Sequence, residues 1–145
     1  MTNPFPFTAL NILNASDLNA IGEWTDYTPA TNSWSSAGSF DFVRYAEINE
    51  VVLVKFRFNL TGTPTGTFEF SQPVVEVSAG SPSGAAGTAS LRDASAGTGY
   101  VGNNFMTGTV IRIADSTSLF SVNATTPFTW ASGDSIRGLM IYDAA

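Results

Sequence analysis

The stretch EVVLVKFRFNL, residues 50–60, constrains the fold more than any other part of the chain. Val52, Val54, Phe56, Phe58 and Leu60 fall at every second position, with Lys55, Arg57 and Asn59 between them. Successive side chains of a β-strand point to opposite faces, so this alternation puts an apolar row on one face and a polar row on the other. At its start the pattern becomes two-sided: Val51 and Leu53 are apolar as well. SIRGLMIYD, residues 135–143, does the same, with Leu139 and Ile141 set against Met140 and Tyr142. A strand in a two-layer β fold turns only one face to its own core. The second face therefore needs a cover, and a subunit interface built on Val51, Leu53, Leu139 and Ile141 is the expectation. A helix, an arm or a long loop lying over it is the alternative.

TFEF (67–70), GTASLRD (87–93), TVIRIAD (109–115) and SLFSVN (118–123) are further strand candidates, separated by turn-rich AEINE, TGTPTG and the loop SAGSPSGAAG. Strands at this spacing predict an all-β domain, a jelly-roll-like antiparallel β-sandwich over residues 23–145. Ahead of it, NPFPF favours an extended arm. NASDLNAIG then predicts a helix of about two turns, capped by Asn14 or Ser16 and ended by Gly22. Residues 1–22 thus form an N-terminal arm with a short helix. At 145 residues one core is expected.

Charged residues are only 12% of the chain, about half the usual share near 25%. The surface must be built largely from Thr, Ser, Asn, Gly and Ala, and a neighbouring chain is expected to cover part of its apolar area. Twelve carboxylates stand against six basic residues. Arg44, Lys55, Arg57, Arg92, Arg112 and Arg137 are scattered along the sequence, and phosphate recognition needs clustered cations, so a nucleic-acid partner is not expected. The chain has no Cys and no His, which removes disulfides, imidazole bases and the usual zinc sites; no metal or cofactor is expected. No apolar run approaches the roughly 18 residues of a membrane span, and no basic segment precedes the first apolar residues. Synthesis in the cytosol and no membrane partner are the expectations.

GTGYVG, residues 97–102, matches the dinucleotide fingerprint G-x-G-x-x-G. That motif works only where a helix N-terminus follows the glycines, and NNFMTG has no helical period. Gly97, Gly99 and Gly102 are read as turn and strand-edge glycines. Hydrolysis of a glycosidic bond needs only two carboxylates, and Asp93, Asp115 and Asp134 are the candidates. Each also sits in turn sequence, where Asp side chains cap backbone N–H groups, and the chain is read as a non-enzyme. Trp34, Tyr100 and Trp130 lie in polar, turn-rich sequence where rings can stack on sugars; the alternative is that they plug the ends of the core.

LNILNASDLNAIGEWTDYTPA resembles a segment near the start of many tailed-bacteriophage virion proteins, in which an L-x-A-x-D-L-N helix precedes W-x-x-Y-T-P. RYAEINEVVLVKFRF is similar to the R-Y strand pair of that group, and SLRDASAGTGYVG and PFTWASGDSIRGLMIYDAA to its later strands. The family often has Gly before its R-Y pair, where Val43 stands here. The resemblance implies a sandwich module, a homotrimer, displayed on the virion exterior as a head decoration or tail-fibre component, with no catalytic residue. The chain has no heptads for a fibre shaft, which favours a compact cement protein on the capsid shell. Its partner would be the major capsid protein or another virion protein, contacted through Phe5, Phe7, Leu10, Ile12, Leu13, Leu18 and Ile21. The alternative is a tail-fibre or baseplate protein that recognises a host surface glycan.

Overall fold

The computed structural model describes residues 22–30, 34–48, 51–73, 86–118 and 120–143. The expected arm, the helix and the docking residues Phe5 to Ile21 lie outside them. Within the described residues every regular element is a strand: β1 Thr25–Asp26, β2 Gly38–Ile48, β3 Val51–Leu60, β4 Glu69–Ser71, β5 Ala86–Asp93, β6 Thr98–Thr107, β7 Val110–Asp115 and β8 Ser135–Asp143. They join in one antiparallel sheet of order β1-β2-β3-β8-β5-β6-β7-β4. The all-β expectation holds at this level. Where two stacked sheets were expected, hydrogen bonding runs through a single curled sheet.

The curl brings the two sheet edges together. Beyond β1, Ala30 donates its N–H to Ser71 Oγ (3.0 Å) and accepts from Ser71 N–H (2.9 Å), while the Tyr27 hydroxyl donates to the Ser71 carbonyl (3.3 Å). Inside the curl lies the aromatic set. Phe70 of β4 meets Phe56 of β3 (ring centroids 4.8 Å) and Phe40 of β2 (5.2 Å), and Phe68 meets Phe58 (5.3 Å) and Trp34 (5.1 Å). Fully burying one such ring contributes about 1.5–3 kcal/mol, and edge-on ring pairs add about 0.5–1.5 kcal/mol each. The row Val52, Val54, Phe56, Phe58, Leu60 is buried throughout, as the period-two pattern requires.

Period-two alternation does not reveal two of the long strands. β2 alternates imperfectly because Asp41 is an extra residue: Phe40 pairs with Phe58 and Phe42 with the next residue, Arg57. A bulge of this kind shifts every later side chain by one and hides the repeat. β6 contains Gly99, Gly102, Asn103 and Asn104, all poor strand formers. It is a strand because β5 and β7 pair with it on both sides. Conversely SLFSVN makes only isolated bridges at Ser121 and Asn123.

Candidate interaction surface

The three carboxylates considered for catalysis all cap turns. Asp93 accepts from Ser95 Oγ (2.7 Å) and Ala96 N–H (2.9 Å), and these bonds hold its carboxyl below the ordinary carboxylate value. Burial pushes Asp115 upward, yet bonds from the Thr117 and Ser118 hydroxyls (2.6 and 2.7 Å) and the Ser118 N–H (3.0 Å) outweigh it and leave its carboxyl lowered. Asp134 accepts from Ala94 N–H (2.8 Å) and Ala131 N–H (2.7 Å), tying the β5–β6 turn to the turn before β8. This is the turn chemistry their local sequence suggests. Among the described residues no group of three or more acidic side chains could hold a metal ion, and no helix is long and apolar enough to cross a membrane.

The fingerprint glycines are strand and turn residues. Gly97 turns the chain at φ +65°, whereas Gly99 and Gly102 lie within β6, paired to Arg92 and Ala89 of β5. Gly102 is not at a sheet edge: a Cβ there would come within 2.5 Å of Ile113 Cγ2. Of the three aromatic residues proposed for sugar stacking, Trp34 and Trp130 are fully buried and pack on each other at 5.4 Å. Their indole N–H groups donate to Gly66 O (3.2 Å) and Thr126 O (3.0 Å). They close the core, so neither offers a face to a sugar. Tyr100 is partly buried and stacks on Phe128 at 5.1 Å.

The expected interface residues do come together. Leu53 pairs with Ile141, Val51 with Asp143 and Lys55 with Leu139 across β3 and β8, while Ala86 and Thr88 of β5 pair with Ile141 and Leu139 on the other side. All of these point away from the aromatic core. Leu139 is 50% and Ile141 44% exposed, and with Leu53, Ala86, Gly87 and Thr88 they line an apolar groove of about 290 Å³. Beneath it, Asn104 of β6 is buried and donates to the Thr88 carbonyl (3.1 Å) and the Leu139 carbonyl (3.0 Å), pinning β5 to β8 from the inside. A second concavity, of about 470 Å³, lies over β1 and β2 between Asp26, Arg44, Phe42 and Pro29.

The sheet also gathers cations that the sequence scatters. Arg44 of β2 stands opposite Lys55 of β3, and Arg57 of β3 opposite Arg137 of β8. Arg92 of β5 pairs with Ser135, two positions along from the Arg137 pair. All but Arg112 among the basic residues thus share the outer face of β2, β3, β8 and β5. Arg44 bonds Asp26 (2.5 Å), Arg57 approaches Asp41 (3.5 Å), and the Lys55 ammonium sits 3.9 Å from the Trp24 ring centroid. Arg92 and Arg137 have no ion-pair partner among the described residues. Register is what assembles this patch, and register is not written in the spacing of the six residues along the chain.

No family model, curated protein or solved structure matches this chain.

Proposed function

We propose that the protein is a structural virion component of a tailed bacteriophage, a capsid decoration or cement protein that self-associates through the outer face of β3 and β8 and docks on the shell through its N-terminal arm. The observation that supports an assembly role is the exposure of Leu139 and Ile141 beside Leu53 on a sheet whose inner face is already filled. The virion reading itself rests on the resemblance of the segments around residues 10–30 and 44–58. In it, the halves β1-β2-β3-β8 and β5-β6-β7-β4 act as the two leaves of a jelly-roll-like sandwich, facing one another across the Phe56–Phe70 contact. A homotrimer is the state that the resemblance implies.

The mechanism is binding thermodynamics. A buried Phe or Leu contributes about 1.5–3 kcal/mol before ordering costs, and arms on one oligomer reinforce each other through effective concentration. No chemical step is involved.

Incubating the full-length protein with undecorated particles tests the reading. Binding to the shell is expected, and Phe5→Ser with Phe7→Ser should abolish it while leaving the circular dichroism spectrum unchanged. Adsorption of the purified protein to host cells instead of shells would contradict it and favour the glycan-reading alternative.

A further inference from the structure

The outward side chains of β8 run Arg137, Leu139, Ile141, Asp143: a cation, two aliphatic groups, a carboxylate. Turned end for end, this row complements itself. Among the described residues neither charge is matched. Arg137 stands between Arg57 on β3 and Ser90 on β5, and Asp143 stands opposite Val51. Neither makes an ion pair or hydrogen bond among the described residues. Like charges directly across a sheet are destabilising, so the Arg57–Arg137 pair costs the isolated chain stability that an outside anion would restore. Among the described residues Asp26 serves Arg44 and Asp41 serves Arg57, but no carboxylate reaches Arg137.

We propose that this face is occupied by a second copy of the chain, docked about a two-fold axis that lies between the two sheets and runs across their strands. The proposal rests on the self-association part of the reading above. Such an axis keeps β8 over β8 and reverses its direction. Where it passes midway between Leu139 and Ile141, Leu139 meets the partner's Ile141, and Arg137 meets the partner's Asp143. Every contact is then made twice, which defines an isologous interface. The β3 register follows the same centre, because Leu53 pairs with Ile141 and Lys55 with Leu139. Arg57 therefore falls beside the partner's Asp143 as well, and one carboxylate relieves both guanidinium groups. A three-fold ring needs two different patches that fit each other, whereas this row carries both halves of a two-fold contact on one patch. From Arg137 to Asp143 the strand runs about 20 Å at about 3.4 Å per residue. The contact is short and ends in exposed charges, so pairing depends on concentration and on salt.

Sedimentation equilibrium of the full chain tests this. The wild type should form even-numbered species that weaken as salt rises. Arg137→Asp leaves carboxylates at both ends of the row and Asp143→Arg leaves guanidinium groups at both ends, and each should weaken association about tenfold. Mixing the two single variants should restore it, because each end of one then meets the opposite charge on the other. The double variant, with the row reversed, should also associate like the wild type. Both positions are exposed, so no variant should lose thermal midpoint, and Arg137→Asp, which sets a carboxylate opposite Arg57, should hold or raise it. A mixture no tighter than its components, or a wild-type trimer indifferent to both substitutions, overturns the two-fold contact while leaving self-association intact. A wild type that remains monomeric overturns both.

Discussion

The two faces of β8 differ less in composition than in what they meet. Ile136, Met140 and Tyr142 point inward and are fully buried, while their chain neighbours Leu139 and Ile141 are half exposed. Apolar content alone would assign all five to a core. What separates them is supply: the inner row faces a curl already filled by Phe40, Phe56, Phe58, Phe68, Phe70, Trp34 and Trp130, and the outer row faces an open groove. The inner face therefore holds the fold, and among the described residues nothing covers the outer row of Leu139 and Ile141.

Substitutions on the inner face should damage stability most. Phe56→Ala removes a ring that contacts Phe40, Phe68 and Phe70 and should cost about 3–5 kcal/mol, read as a lowered denaturant midpoint. Gly138→Ala tests the inner face from the backbone side. Its new Cβ would lie 2.7 Å from two atoms of the Phe56 ring and 2.9 Å from Asn104 Nδ2, crowding the site that pins β5 to β8. A loss of about 1–3 kcal/mol is expected. If Gly138→Ala were neutral, the inner packing would be looser than described and the contrast between faces would weaken.

A smaller effect should come from acid. The Asp93 and Asp115 carboxyls are held below their ordinary value of 3.8, so they bind protons less readily folded than unfolded. Their stabilisation is present in full above that value and is withdrawn as the pH falls through the lowered folded values. Thermal midpoints should therefore drop below about pH 4, and Asp93→Asn with Asp115→Asn should flatten the drop while lowering the midpoint at neutral pH. A wild-type midpoint that rises in acid would contradict the turn-capping role.

Much of this contrast is legible in the amino-acid order. The alternation over residues 51–60 and 135–143 names the buried row and the outward row correctly, because period two maps directly onto the faces of a strand. The Asp caps that stay within one turn are legible too, since Asp93, Asp115 and Asp134 each accept from an N–H three residues away, whereas the Asp134 bond to Ala94 joins turns far apart in sequence. What escapes is whatever depends on register or on neighbours. The Asp41 bulge hides β2, flanking strands carry the Gly- and Asn-rich β6, and cations distant in sequence become adjacent only once β2, β3, β8 and β5 are paired. Trp34 and Trp130 sit in polar sequence, yet their rings close the core, because a large indole with one N–H can plug a sheet end if a carbonyl is within reach.

The claim that the outer face of β8 is an interface is tested most directly by the mass of the chain in solution. Sedimentation velocity over a hundredfold concentration range should show the wild type growing beyond its 15.3 kDa single-chain mass. Leu139→Ser with Ile141→Ser should remain at that mass with an undiminished thermal midpoint. A wild type that stays at the single-chain mass throughout, or a double variant that assembles as well as the wild type, would contradict the account.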